Sequence, residues 1–422
     1  MKMRFDTALL HGGIRTDDNT GATLTPIFQS SAFAKESAEQ IERVFANRAP
    51  GFAYSRISNP TVAAFERRIT YIEEGAASVA TSSGMAAISM TLLNILSSGD
   101  EIISMTSVFG GTLDLFRDLE TYGIHTKFVE EITEDSLRES VTDRTRAVFA
   151  ETIGNPKLNV LDIKGAAELI HSYGLPFILD NTSATAYLVK GVALGADIII
   201  NSSSKYINGS SNSIGGVVTD SGSFAWDADK YPSMKDYAAL GRLAFSAKLR
   251  NDTFRNMGAC QSPFNAYLNM LGLETLSLRM ERHCVSALRL AESLEDLDGV
   301  REVNYPLLRS SRYYDIAMRQ HRGKGGGIFT IRLFSKERAF LFINSLKYAL
   351  NLTNIGDSKT LVVHPASTIY AHSNEEERAM AGVYEDTVRV SVGLEDIEDL
   401  KEDFLMALEI TNERAPVRTG EA

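Results

Sequence analysis

Cysteine is scarce in this 422-residue chain, which has two, Cys260 and Cys284. Neither stands in a CxxC or Cys/His ligand spacing, so no disulfide framework or zinc site is expected. Both read as small apolar core residues in a protein kept in a reducing compartment. The seven histidines show no ligand spacing, and no metal is expected. Positive charge is in deficit. Lys and Arg number 43 against 54 Asp and Glu, a net charge of -11, and no basic stripe marks a nucleic-acid partner. No apolar run approaches the ~18 residues that span a bilayer, and Asp6 interrupts any signal-peptide hydrophobic segment. Repeats and low-complexity tracts are also missing. These absences lead to the expectation of a soluble, cytoplasmic protein that touches neither membrane nor nucleic acid.

What is present is a change of pattern along the chain. Residues 1–55, with Gly12, Gly13, Gly21, Pro26 and little periodicity, read as an extended arm lying on a neighbouring part of the chain or on a neighbouring subunit. Residues 56–258 alternate short apolar strands (Ser78–Ala80, Glu101–Ile103, Ala147–Ala150, Phe177–Leu179, Asp197–Ile200) with helical stretches such as Met85–Leu96 and Ile163–Tyr173. Unbroken apolar strands separated by helices predict a mostly parallel sheet covered on both faces, an α/β fold. Residues 259–422 read as a smaller α+β domain, with one long helical segment over Asn265–Leu294 and alternating strands at Ile328–Leu333 and Val388–Val392. Gly323–Gly327 is a turn and not a phosphate loop, since no Gly-Lys-Ser/Thr comes after it. The polar end from Asn412 is expected to fray.

Ligands of open parallel sheets bind beyond the carboxyl ends of the strands. Three predicted strands run into Asn155, Asp180 and Lys205, at equal intervals of about one strand–helix unit. A fourth runs into Thr81-Ser82-Ser83-Gly84-Met85, where small residues open a helix and its free N–H groups favour an anion. Ser202 and Ser204 add hydroxyls. Taken singly, each is commonplace: a helix cap, a turn residue, a solvated lysine. Together they fit pyridoxal-5′-phosphate (PLP). The amine of Lys205 would form the Schiff base and move the substrate α-proton. Asp180 would keep the pyridine nitrogen protonated, Asn155 would lie near the ring oxygen, and the helix start with the serines would hold the phosphate.

At these residues the sequence resembles the Cys/Met-metabolism PLP enzymes, from about Phe5 to Ile410. The resemblance rests on Tyr54-Ser55-Arg56-Ile57-Ser58-Asn59-Pro60-Thr61, Ser83-Gly84-Met85-Ala86-Ala87, Asp180-Asn181-Thr182, Ser204-Lys205-Tyr206 and Val388-Arg389-Val390-Ser391-Val392-Gly393-Leu394-Glu395. It implies the aspartate aminotransferase-like transferase fold, fold type I. It also implies that Gly84 and Met85 bind phosphate through backbone N–H groups, with Thr182 among the cofactor contacts. Tyr54 and Arg56 would reach the phosphate of a neighbouring subunit, and the assembly would be a homotetramer of active dimers. Arg389 would hold the substrate carboxylate, with Asn354 and Tyr54 near the substrate.

Asn354-Ile355-Gly356-Asp357-Ser358-Lys359-Thr360-Leu361 with His364-Pro365-Ala366-Ser367-Thr368 is most similar to O-acetylhomoserine sulfhydrylases, as are Ala247–Arg250, Gly258–Asn265 and the long insertion between Ala34 and Tyr54. The implied reaction is γ-replacement on O-acetyl-L-homoserine by sulfide or a thiol, giving homocysteine or methionine. The alternative is a γ- or β-lyase acting on methionine- or cystathionine-type substrates; Gly111, where dedicated methionine γ-lyases have cysteine, argues against a dedicated methionine γ-lyase. A PLP-binding regulatory protein is disfavoured by the joint presence of Lys205, Asp180 and Arg389. A nicotinamide dehydrogenase would need a Gly-x-Gly-x-x-Gly after the first strand. Two departures stand out. Phe109 replaces the tyrosine that relatives stack on the cofactor, so the hydroxyl's task near the leaving group falls to Tyr54 or Lys205. Gly209-Ser210, within Asn208–Ser213, replaces the usual Gly-His.

Overall fold

The computed structural model describes residues 3–14, 16–17 and 20–417. A seven-stranded sheet is formed by β1 (Ala77–Thr81), β2 (Glu101–Met105), β3 (His125–Val129), β4 (Thr145–Glu151), β5 (Phe177–Asp180), β6 (Ile198–Asn201) and β7 (Gly216–Asp220), in the order β1-β7-β6-β5-β4-β2-β3. Successive side chains of a strand point to opposite faces. In β4, Ala147 and Phe149 therefore enter one apolar core while Val148 and Ala150 enter the other, and β6 divides Ile198 and Ile200 from Ile199 in the same way. Burial on both faces is what makes these strands read as unbroken apolar runs. Each such Val, Ile or Phe contributes about 1.5–3 kcal/mol through burial. The sheet is parallel except for β7, which runs antiparallel to both of its neighbours.

The second sheet contains β8 (Glu302–Asn304), β9 (Ile328–Arg332), β10 (Leu350–Asn351), β11 (Leu361–Val363) and β12 (Thr387–Ser391), in the order β10-β11-β12-β9-β8. It is antiparallel apart from the β10–β11 pair. Arg389 lies at the centre of β12, opposite Thr330 and Val363.

Several sequence expectations need correction. The arm is not simply extended: it contains helices Phe5–His11 and Ala38–Phe45. The first is anchored on the chain itself, because Leu9 is buried and its carbonyl accepts from Arg68. The long helical segment is two helices, Pro263–Glu274 and Leu276–Leu294, separated at Thr275. The expected fraying does not begin at Asn412: a helix runs to Arg414, and Asn412 accepts from Arg338 and donates to the Asp298 carbonyl, while residues 418–422 of that end lie outside the described residues. Cys284 is buried as expected, but Cys260 is only half-buried. Strands β3 and β7 carry no clear signal in the sequence. The first is an exposed edge, and the second lacks a clear period.

Candidate active site

Because β4, β5 and β6 are adjacent and parallel, the segments leaving their carboxyl ends converge, and Asn155, Asp180 and Lys205 line one cavity of about 440 Å³. The helix Gly84–Ile95 starts at the same place. Ser83 caps it, its hydroxyl accepting from the Ala86 N–H at 3.0 Å and its carbonyl from the Ala87 N–H. The N–H groups of Gly84 and Met85 have no partner among the described residues, as the first turn of a helix requires. A side chain at position 84 is excluded: a β-carbon there would lie 2.6 Å from Ser202 Cβ. The missing side chain is thus what lets the Ser202 loop approach the helix start. The Ser202 N–H donates to Thr182 Oγ1 at 2.8 Å, and its own hydroxyl is left without a partner among the described residues. Ser204 also lines the cavity, but its proton goes to the Gly215 carbonyl at 3.1 Å, while its oxygen accepts from the Gly215 N–H at 2.9 Å.

Two carboxyls share one wall. Asp180 Oδ1 accepts from the Thr182 N–H at 2.9 Å, and the register places Glu151 beside it on β4. Burial raises both carboxyls above their usual range, Glu151 far above it, and the negative charge of Asp180 adds to the shift at Glu151. Glu151 Oε1 also accepts from the backbone N–H of Phe109 at 2.6 Å, which fixes the stretch carrying that ring on the cavity wall. A β-carbon at Gly111 would meet the Phe109 ring at 2.8 Å, so a larger residue there would displace the ring.

Two cations, Lys205 and Arg389, line the same cavity. Burial, with the nearby Arg389 charge, pulls the Lys205 amine down to about 8. Its Nζ donates to Asn354 Oδ1. Arg389 is fully buried, donating to Asn155 Oδ1 at 3.1 Å and to the Asn354 carbonyl at 3.0 Å, while its Nε has no partner among the described residues. Burial holds its guanidinium down to about 10. The small sheet therefore delivers Arg389 and Asn354 to the edge of the large one.

Of the residues singled out from the sequence, Gly84, Met85, Phe109, Asn155, Asp180, Thr182, Ser202, Ser204, Lys205, Asn354 and Arg389 line this cavity. Tyr54 and Arg56 do not. Tyr54 lines a separate cleft of about 360 Å³ with Phe45, Arg250 and Arg255, and Arg56 sits over its ring and donates to the Arg255 carbonyl. Sequence reasoning missed Glu151, Thr112 and Ser211 in the cavity wall. A carboxylate ending a buried strand was the available signal for Glu151.

An O-acetyl-L-homoserine sulfhydrylase of Corynebacterium glutamicum is 40% identical over 95% of this chain and 95% of its own length. A homocysteine synthase of Schizosaccharomyces pombe is 38% identical over 96% of this chain and 98% of its own. A crystal structure from Campylobacter jejuni, assigned as an O-acetylhomoserine (thiol)-lyase, superposes with a TM-score of 0.93 at 31% identity. The superposition covers 96% of this chain and 100% of that one, which carries N′-pyridoxyl-lysine-5′-monophosphate at its position 205. Residues 6–409 match the pattern of the Cys/Met metabolism PLP-dependent enzymes, and the chain belongs to that family.

Proposed function

We propose that this enzyme replaces the γ-substituent of O-acetyl-L-homoserine with sulfide or a thiol, giving homocysteine or methionine. The single observation that carries the reading is the meeting of Lys205, Asp180 and Arg389 in one cavity, in a chain whose relatives bear the names sulfhydrylase and homocysteine synthase.

The residues fit PLP. The carboxylate of Asp180 makes no ion pair among the described residues, which suits a protonated ring nitrogen. The partnerless N–H groups of Gly84 and Met85, the free hydroxyl of Ser202, and Thr182 suit the phosphate. Ser204 would join them after giving up its bond to Gly215. When bound, the cofactor supplies an aldehyde for the substrate amine and a ring that draws electrons from the substrate α-carbon.

The chain's own groups do the rest. Phe109 would stack on the ring. Arg389, held by Asn155 and the Asn354 carbonyl, would grip the substrate carboxylate with its planar fork. A lysine held at about 8 is partly unprotonated near neutrality, so the Lys205 amine can take the α-proton. A proton then leaves Cβ, and the electrons of that C–H bond expel acetate from Cγ. The sulfur nucleophile bonds to the same carbon as it gives up its own proton, and protons return to Cβ and Cα. With Phe109 lacking a hydroxyl, Lys205 or Tyr54 would serve the proton near the leaving group.

Tyr54 and Arg56 would act in the cavity of a neighbouring subunit, within a homotetramer built from active dimers. Their position in a separate cleft supports this arrangement, with Tyr54 42% exposed. The proposed site of action is the cytoplasm, in keeping with two unpaired cysteines.

Product analysis on PLP-loaded protein tests the reaction. Homocysteine formed from O-acetyl-L-homoserine only when sulfide is present is the expected result. Sulfide-independent 2-oxobutyrate would move the assignment to a lyase.

A further inference from the structure

The segment Asn208–Ser213 follows the Lys205 strand end, and the structure gives it a task. Lys205 Nζ donates to Asn354 Oδ1, and Asn354 Nδ2 donates to Ser211 Oγ at 2.9 Å. The Ser211 hydroxyl in turn donates to Asp357 Oδ2. Asp357 is buried, and its other oxygen accepts from the Lys359 N–H at 2.9 Å and pairs with Lys359 Nζ at 2.7 Å. Burial pushes the Asp357 carboxyl up, but the hydrogen bonds from Lys359 and Ser211 outweigh it and hold the group below its ordinary range. Asp357 therefore accepts and cannot donate, so Ser211 must give it its proton. The Ser211 oxygen is then left to accept from the amide nitrogen of Asn354, and the amide oxygen must face Lys205. Ser211 holds this geometry at φ +54°, a region serine seldom adopts.

We propose that Ser211 is a positioning residue: by tying the Asn354 amide nitrogen to Asp357, it presents the Asn354 oxygen as the docking point for the Lys205 amine once substrate has displaced it from the cofactor. This deepens the reading of Lys205 as the cofactor lysine and rests on it. In the displacement, the incoming nitrogen bonds to the cofactor's aldehyde carbon as the bond from Lys205 breaks, and a proton passes from the incoming nitrogen to Lys205. Nothing is oxidised or reduced. A docked product amine favours the displaced side of this equilibrium. The titratable groups around Lys205 are Arg389, Asp180 and Glu151 in the cavity and the Asp357–Lys359 pair behind Ser211.

The test uses holoenzyme and glycine, which displaces the lysine but has no γ-substituent to lose. Displacement is read as the change of the visible cofactor band. Acetate, which offers a carboxylate to Arg389 without an amine, is titrated in parallel as a competitor of glycine. Ser211→Ala and Ser211→Gly should both raise the glycine concentration for half-conversion by roughly 3- to 10-fold, the worth of one lost hydrogen bond, and leave acetate unchanged. Glycine at φ +54° carries no steric penalty, so a shift in both variants separates the hydroxyl from backbone strain. Ser210→Ala, in the same loop but outside the relay, should match the parent. Parental glycine titrations in both Ser211 variants would overturn the proposal, as would equal weakening of glycine and acetate. A cofactor band that persists in Lys205→Ala would overturn the reading of Lys205 itself.

Discussion

Glu151 and Asp180 sit side by side at the ends of β4 and β5, two carboxyls in one cavity wall with no ion-pair partner among the described residues. Like charges this close do not both ionise readily, and the environments push them unequally. Burial raises both, and the negative charge of Asp180 raises Glu151 further, which favours holding a proton at Glu151 and the charge at Asp180.

Replacing the two should separate their tasks. Asp180→Asn removes the charge that would keep a ring nitrogen protonated, and kcat should fall on the order of 10²-fold or more. Glu151→Gln mimics a protonated carboxyl and still accepts from the Phe109 N–H, so activity should stay within about 3-fold of the parent. Steady-state kinetics on both variants checks this, and the reverse order would place the charge on Glu151.

Gly84→Ala should close the phosphate cradle. Its β-carbon would sit 2.6 Å from Ser202 Cβ and 2.8 Å from Ser202 Oγ, so the Ser202 loop must retreat from the helix start. Overpacking of this kind costs about 1–3 kcal/mol, and cofactor affinity in reconstitution titrations should weaken by about 5- to 150-fold. Unchanged affinity would mean that the helix start does not hold the phosphate.

Arg389→Lys keeps the charge but removes the planar fork that bonds Asn155 and the Asn354 carbonyl. Losing one charge-assisted hydrogen bond costs about 1.5–3 kcal/mol, so kcat/KM should drop about 10- to 150-fold, mostly through KM. A loss confined to kcat would argue against a carboxylate-binding role.

Glu73 predicts a pH dependence of stability. Its carboxyl is buried, Oε1 accepts from Asn201 at 2.9 Å, and Oε2 has no partner among the described residues. Burial raises the group from 4.5 to about 7, against the pull of Lys190. The folded chain therefore holds this proton more tightly than the unfolded chain. The stability it contributes is full below 4.5 and is lost as pH rises through 7, amounting to about 3 kcal/mol at most. Glu73→Gln should flatten the fall between these pH values in urea-unfolding titrations, and an unchanged slope would rule Glu73 out as its source.

Much of the site was legible because its parts are local. A strand that must be apolar on both faces announces itself, and the residues just beyond its carboxyl end are read directly: Asn155, Asp180, Lys205 and the Ser83–Met85 helix start all lie where the strand ends lead. Less was legible where a residue serves two positions at once. Ser204 looked like a free hydroxyl, but its bonds go to Gly215, eleven residues on, through a turn that no periodicity marks. Helix 265–294 looked continuous because its apolar spacing is nearly unbroken; only the packing of two helices shows the interruption at Thr275.

The sequence by itself determined the alternation of strands and helices, the glycine that a close approach demands, and the chemical types gathered at the strand ends, since all of these depend on residues within a few positions of each other. Tertiary structure decided the rest. Strand register set Glu151 against Asp180, and the docking of the small sheet brought Asn354 to Lys205 across 149 positions of sequence. It also turned Tyr54 and Arg56 away from the cavity of their own chain. Such contacts are fixed by how two apolar faces pack, a property of both faces together that neither segment carries alone.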